Sequence, residues 1–106
     1  MSFTKDQAIS KVRELISLMK SGGMEIYEAY LFGSAVMDKG NEYSDIDIAI
    51  VSKEFTGVPF YDVKKISKYR RAVDLKLEIH PFSLNDILDT PPLFFLDIKS
   101  KGILIN

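Results

Sequence analysis

The sequence predicts an α/β domain in which helices flank a small mixed β-sheet. Its 106 residues are close to the commonest size of a single domain, and 46% of them are apolar while 27% are charged. Segments with apolar residues every three or four positions alternate with short segments of branched and aromatic residues. We therefore expect one layered domain spanning residues 1–106, built in the order α-β-α-β-α-β-α.

The composition excludes several classes of protein. The net charge is −1, from 14 basic and 15 acidic residues, so no global field attracts nucleic acid or an anionic membrane. The absence of cysteine excludes disulfides, thiolate metal sites and a cysteine nucleophile. The N-terminus lacks the pattern of a signal peptide, and no apolar run approaches the roughly 20 residues that cross a bilayer. We expect a cytoplasmic protein with no membrane partner.

The first third of the chain predicts a helix and then a strand. Thr4 and Gln7 form a capping-box pattern, and an apolar stripe follows, so we expect a helix over about residues 5–20 that stops at Ser21-Gly22-Gly23. Residues 26–32 are aromatic and branched over less than helical length, which favours a strand. This strand ends at Gly33-Ser34, where a short helix is expected to begin.

A turn over residues 38–42 leads to the most apolar strand of the chain. Residues 45–51 alternate at their start and then become fully apolar, which indicates a central strand with one polar end. After Gly57-Val58-Pro59, residues 60–72 have the pattern of an amphipathic helix. The period then changes to two, so residues 73–80 predict a strand that Pro81 ends.

The last quarter of the chain predicts short elements. Ser83-Leu84-Asn85-Asp86 is typical of a helix start, and Pro91-Pro92 separates it from an expected last helix over residues 93–100. Residues 102–105 close the chain with an apolar segment.

Asp45 and Asp47 are the first candidates for chemistry. Two positions apart on a strand, they project from one face about 6.5 Å apart along the chain. Like charges this close are unfavourable unless a cation compensates them, and Mg²⁺ prefers carboxylate and phosphate oxygens. Asp74 is expected on the polar side of another strand, where its carboxylate can complete a metal-binding triad.

Gly33 and Ser34 are candidates for binding phosphate. A helix that begins here would direct its amide hydrogens and the positive end of its dipole outward. Glycine lets the backbone approach a phosphate closely, and the serine hydroxyl adds a donor.

Together these motifs resemble the DNA polymerase β-like nucleotidyltransferase superfamily, and within it the minimal nucleotidyltransferases of prokaryotes. Leu31-Phe32-Gly33-Ser34 is followed, after ten residues, by the two acids of Asp45-Ile46-Asp47 and their apolar flanks. The segment 70–77 resembles the strand that carries the third acid of that family. The resemblance covers roughly residues 26–80.

The resemblance implies transfer of a nucleoside monophosphate from a nucleoside triphosphate, with ATP expected, to an acceptor hydroxyl. Asp45, Asp47 and Asp74 would be the catalytic acids and would bind Mg²⁺ or Mn²⁺. Gly33 and Ser34 would bind the β- and γ-phosphates, and Lys76 would neutralise charge nearby.

The chain departs from the family pattern at three points. Ala35-Val36-Met37-Asp38 lacks the arginine that many minimal members carry after Gly-Ser. Glu78 lies on the same predicted strand face as Asp74 and is an alternative third acid, although the flanks Val-Asp-Leu favour Asp74. The helical domain of larger relatives is missing, which suggests a partner subunit.

The sequence also allows functions other than nucleotidyl transfer. The resemblance also allows an antitoxin-type module that binds a helical ribonuclease, either with little catalysis or none, and a homo-oligomer is a further possibility. A nuclease core built on Asp47, Asp74 and Lys76 would leave Gly33-Ser34 without a role.

His80 can act as a base or a metal ligand, although a hydrogen-bonded histidine at a strand end is the simpler interpretation. The basic residues of segment 64–71 can face solvent or a nucleic-acid acceptor.

Overall fold

A computed structural model describes residues 4–37 and 45–106 of the chain. The helices are α1 (Lys5–Ser21), α2 (Ser34–Met37), α3 (Pro59–Val73), α4 (Leu84–Asp89) and α5 (Leu93–Lys101). The strands are β1 (Glu28–Phe32), β2 (Ile46–Ser52), β3 (Leu77–Ser83) and β4 (Ile103–Leu104). The predicted turn over residues 38–42 lies outside the described residues.

The four strands form one mixed sheet in the order β3-β2-β1-β4. β2 pairs antiparallel with β1 and parallel with β3, and β4 pairs antiparallel with the other edge of β1. Both edges of β2 are paired, so β2 is one of the two central strands, as its apolar sequence predicted. The mixed α/β class predicted from the sequence is confirmed.

Helices cover both faces of the sheet. Ile46, Ile48 and Ile50 of β2 are buried on one face in a core that also contains apolar residues of α1 and α3. Ala49 and Val51 alternate with them and face a second, smaller core that contains Phe95 and Ile98 of α5. β2 is therefore apolar on both faces over most of its length, and Asp47 is the polar exception near its start.

Local signals define α1 as the sequence predicted. The Thr4 amide donates to Gln7 Oε1 (2.9 Å) and the Gln7 amide donates to Thr4 Oγ1 (3.3 Å), which completes the capping box. The buried side chains recur at helical spacing and are Ala8, Val12, Leu15, Ile16 and Met19. After the helix, Gly23 adopts φ +91°, a conformation that glycine tolerates best.

The third strand differs from the prediction at both of its ends. α3 continues to Val73, and Asp74 follows it as the C-cap, with its amide donating to Arg70 O at 2.9 Å. The Asp74 carboxylate accepts from the Lys76 amide at 2.8 Å and closes a turn, so β3 begins only at Leu77. The period-two pattern over residues 73–76 was therefore wrong as a strand signal.

Pro81 lies inside β3 rather than ending it. Among the described strands, β3 lies at the edge of the sheet and pairs with β2 alone, so one side of its backbone needs no ladder hydrogen bonds. A proline, which has no amide hydrogen, is tolerated on such an edge. The strand continues to Ser83, which is the N-cap residue of α4.

The β2–α3 connection is fixed by a buried carboxylate. Asp62, in the first turn of α3, is 1% exposed and accepts three hydrogen bonds from the preceding loop. The donors are the Thr56 amide (2.7 Å), the Thr56 hydroxyl (2.9 Å) and the Gly57 amide (2.9 Å). These charge-assisted bonds replace a side-chain N-cap, which Val58 cannot supply.

None of the helices in the two described ranges is both long enough and apolar enough to span a membrane.

Tyr30 packs within the smaller core, with its ring edge-on to Phe95 at a centroid distance of 5.9 Å. Burial, followed by a hydrogen bond to Glu28 and that residue's negative charge, raises the pKa of Tyr30 to about 12 from 10.0. The folded protein therefore keeps this phenol proton at a pH at which the unfolded chain releases it.

This difference predicts a loss of stability between about pH 10 and pH 12 that depends on Tyr30. The Tyr30 contribution is fully present below pH 10 and declines by up to about 3 kcal/mol as pH rises through the window. In urea unfolding across this range, wild type should lose stability relative to Tyr30→Phe as pH rises, because the phenylalanine does not titrate. Tyr61→Phe, at a tyrosine that is 60% exposed, should keep the wild-type dependence, and parallel curves for wild type and Tyr30→Phe would contradict the assignment.

Candidate active site

Strand register brings three residues into one row across the sheet. Phe32 of β1 pairs with Asp47 of β2, and Asp47 pairs with Glu78 of β3. Directly paired residues project from the same face, so these side chains lie side by side on the face that α5 covers. His80, two residues beyond Glu78 on β3, projects from that face as well.

Asp47, Glu78 and His80 form a compact group of potential metal ligands. One ligand atom from each residue lies within 4.8 Å of those of the other two. His80 Nε2 is 3.5 Å from Asp47 Oδ1. Asp47 and His80 are partly buried, whereas Glu78 is exposed, so the group opens to solvent on the side of the edge strand.

Two phenylalanines surround the imidazole of His80. Its ring lies edge-on to Phe32 at 5.1 Å and to Phe94 of α5 at 5.9 Å, measured between ring centroids. The Phe32 and Phe94 rings also contact each other edge-on at 5.9 Å. These apolar contacts restrict the imidazole and help to direct Nε2 toward the Asp47 carboxylate.

Gly33 follows Phe32 and lies directly against Asp47. Its φ is +79°, and a β-carbon added there would be 2.6 Å from Asp47 Oδ2. The backbone conformation strongly favours glycine at this position, and a β-carbon there would displace the Asp47 carboxylate. Ser34 is exposed and begins α2, so the Gly-Ser pair borders the carboxylate group as the sequence predicted.

The other two predicted acids, Asp45 and Asp74, fall outside this group of ligand atoms. Asp45 is exposed and immediately precedes β2. Asp74 and Lys76 lie in the turn before β3, where the Asp74 carboxylate accepts from the Lys76 amide. Within residues 4–37 and 45–106, the group with metal-ligand geometry contains neither Asp45 nor Asp74.

Sequence reasoning ranked Glu78 second and interpreted His80 as a structural histidine. The period-two alternation that placed Glu78 and His80 on one face was correct, and it was the available signal for the pair. What the sequence lacked was the register, which sets Glu78 rather than Asp74 opposite Asp47. Phe94 carries no local signal, because a separate helix brings it to the site.

The donor set fits a divalent cation. Two carboxylates and one imidazole are ligands that divalent metals accept, with the nitrogen better suited to Mn²⁺ than to Mg²⁺. Across the described ranges, neither Asp47 nor Glu78 forms an ion pair with a lysine or an arginine. A bound cation would supply the missing compensation for the adjacent carboxylates.

Comparison with known proteins is consistent with this geometry. The profile of the family described as "Polymerase beta, Nucleotidyltransferase" matches residues 13–106, so the chain belongs to this nucleotidyltransferase family. A crystal structure from Sulfolobus solfataricus, provisionally described as a nucleotidyltransferase, shares the fold with a TM-score of 0.67 and 18% identity. The match covers 94% of this chain and 80% of that one. No curated protein matches the sequence.

A matched pair of variants distinguishes the effect of the contact between Gly33 and Asp47 from the effect of backbone strain. Gly33→Ala and Gly23→Ala both place alanine at a positive φ, which costs about 1–2 kcal/mol, but the added β-carbon at Gly23 meets nothing within 4 Å. We expect Gly33→Ala to destabilise the protein more in urea unfolding and, unlike Gly23→Ala, to weaken Mn²⁺ binding, because it displaces the Asp47 carboxylate. Equal effects on both measurements would contradict the close contact.

Proposed function

We propose that the protein transfers a nucleoside monophosphate from a nucleoside triphosphate, preferably ATP, to an acceptor hydroxyl. The observation that carries this proposal is the contact between Gly33 and Asp47, which joins the Gly-Ser pair to the metal-ligand group. Membership of the nucleotidyltransferase family supports the same reaction class. The acceptor is a small molecule, a nucleic acid or a partner protein.

Asp47, Glu78 and His80 would hold the cation, Mg²⁺ or Mn²⁺. When bound, such a cation offsets the negative charge of the triphosphate and makes its α-phosphorus more electrophilic. Asp47 is central to this arrangement because it contacts both His80 and the Gly33 backbone region. Asp45 is exposed immediately before β2 and lies two residues from Asp47. It would bind a second cation that accompanies the nucleotide.

The remaining side chains position the substrate. The Ser34 hydroxyl and the backbone at Gly33 would bind the β- and γ-phosphates. The acceptor oxygen attacks the α-phosphorus, forming one P–O bond as the bond to the pyrophosphate oxygen breaks. The acceptor hydroxyl gives its proton to a carboxylate at the open side of the group, where Glu78 is exposed to solvent. Lys76 lies in the turn beside the start of β2 and would offset charge there.

Glu78 takes the role that the sequence favoured for Asp74. Its support is the strand register: Glu78 pairs with Asp47, whereas the Asp74 carboxylate is occupied by the Lys76 amide. In the nuclease alternative, Asp74 and Lys76 would act together with Asp47. Asp74 is outside the metal-ligand group and its carboxylate accepts from the Lys76 amide, which gives that alternative no support.

A pair of charge-neutralising substitutions tests this assignment. Glu78→Gln should reduce labelling from radiolabelled ATP by about 100-fold or more, because it removes a carboxylate from the metal-ligand group. Asp74→Asn removes an equal charge three residues before β3 and should leave labelling within about threefold of wild type. Activity is measured with Mn²⁺ and Mg²⁺ on the purified protein together with any chain that co-purifies.

The reverse pattern, with Asp74→Asn inactive and Glu78→Gln active, would restore the triad predicted from the sequence. Melting temperatures of both variants control for folding. Glu78 is exposed and its loss relieves repulsion with Asp47, so Glu78→Gln should be at least as stable as wild type.

A second candidate function is an interaction module that binds a helical partner with little or no catalysis. It is favoured by apolar side chains that α4 and α5 leave exposed, above all Leu93 at 84% and Leu88 at 67%. If no labelling occurs with either metal while a partner still co-purifies, this second function replaces the first.

A further inference from the structure

An apolar cavity of about 470 Å³ lies next to the metal-ligand group, between the end of β1, α2 and α5. Its walls are the side chains of Phe32, Val36, Phe94 and Ile98. Its size and apolar lining are those of a small-molecule site.

The cavity and the metal-ligand group share their boundary. Phe32 lines the cavity and pairs with Asp47 in the sheet, and Phe94 lines it while its ring contacts His80. Gly33 lines the cavity and also contacts the Asp47 carboxylate. A ligand whose phosphates lie at Gly33 and Asp47 can therefore extend into the cavity without crossing open solvent.

One charged pair interrupts the apolar lining. Asp97 and Lys101, one turn apart on α5, form an ion pair with 3.0 Å between Oδ1 and Nζ, and both are exposed at the rim. The pair offers one hydrogen-bond acceptor beside one donor. Because the pair is exposed, it contributes little to the stability of the fold. Its two charged groups can therefore form hydrogen bonds to a ligand in place of water at small cost.

From these observations we infer that the cavity binds the base of the nucleotide substrate, with adenine preferred. The inference rests on the proposed function, because the phosphates must lie at Gly33 and the metal-ligand group. A nucleobase has flat apolar faces, which fit against Phe94 and Val36, and a polar edge that would reach Asp97 and Lys101.

The charge pair favours adenine over guanine at the purine edge that carries N7. Adenine presents an N6 amino donor beside the N7 acceptor, which complements Asp97 and Lys101 respectively. Guanine presents two acceptors, O6 and N7, at the same edge, so one of them would face the Asp97 carboxylate. Asp97 is thus a specificity-determining residue, whereas Phe94 supplies the stacking surface.

The test compares the binding of ATP, GTP and inorganic tripolyphosphate by titration calorimetry in the presence of Mn²⁺. Tripolyphosphate reports on the phosphate and metal positions alone. We expect wild type to bind ATP more tightly than GTP, and both more tightly than tripolyphosphate. Phe94→Ala should weaken ATP binding by about tenfold more than it weakens tripolyphosphate binding, because the ring also contacts His80.

Two variants complete the comparison. Leu93→Ala truncates the neighbouring residue of the same helix, which is 84% exposed and outside the cavity lining, and should bind both ligands as wild type does. Asp97→Asn changes an exposed side chain with little risk to folding, and should reduce the preference for ATP over GTP by about fivefold or more.

Different results overturn different parts of the account. Equal affinity of wild type for ATP and tripolyphosphate, or an unchanged ATP affinity in Phe94→Ala, overturns the base pocket while the proposed function stands. An unchanged ATP to GTP ratio in Asp97→Asn overturns the adenine preference. If wild type binds neither nucleotide nor tripolyphosphate, the proposed function fails and the base pocket fails with it.

Discussion

The parallel pairing of β2 with β3 places two carboxylates next to each other, and the rest of the site depends on that juxtaposition. Asp47 and Glu78 are register partners on one face, with no lysine or arginine pairing with either in the described residues. Repulsion between the two carboxylates destabilises the fold when no cation is bound. A bound cation would offset that repulsion. This pair of carboxylates is the observation on which the proposed metal site depends.

The hydrophobic core holds this register in place. Ile46 and Ile48, which flank Asp47, are fully buried on the opposite face of the sheet. A slip of one residue would turn Asp47 into the core and expose the isoleucines, at a cost of several kcal/mol. At the far end of β2, the hydrogen bonds of buried Asp62 fix the loop into α3. The position of the carboxylates is therefore set by packing over the whole length of the strand.

Much of the fold could be predicted because its signals are local. The capping box at Thr4, the apolar run of β2 and the glycine-serine strand end each act within a few residues, and each appears in the structure. The start of β3 was wrong because residues 73–76 alternate as a strand would, while the α3 backbone continues to Val73 and an aspartate turn follows. The exchange of Asp74 for Glu78 in the proposed site follows directly from that boundary.

The residues of the proposed site that the sequence did not predict are brought together by contacts between distant segments. Which acid faces Asp47 is decided by strand register, and the rings of Phe94 and Phe32 reach His80 only after α5 packs on the sheet. No short sequence window contains this information. The sequence therefore predicted the nucleotidyltransferase class and the proximity of Gly33 to Asp47, whereas the membership of the proposed metal-ligand group depends on the fold.

The most direct test of the central claim is the anomalous diffraction of a crystal soaked with Mn²⁺, recorded at the manganese absorption edge. The account predicts a peak within coordination distance of the Asp47 and Glu78 carboxylates and of His80 Nε2. A peak held by Asp45 and Asp74 with Glu78 and His80 uninvolved, or no peak near Asp47 at a saturating concentration, would contradict it.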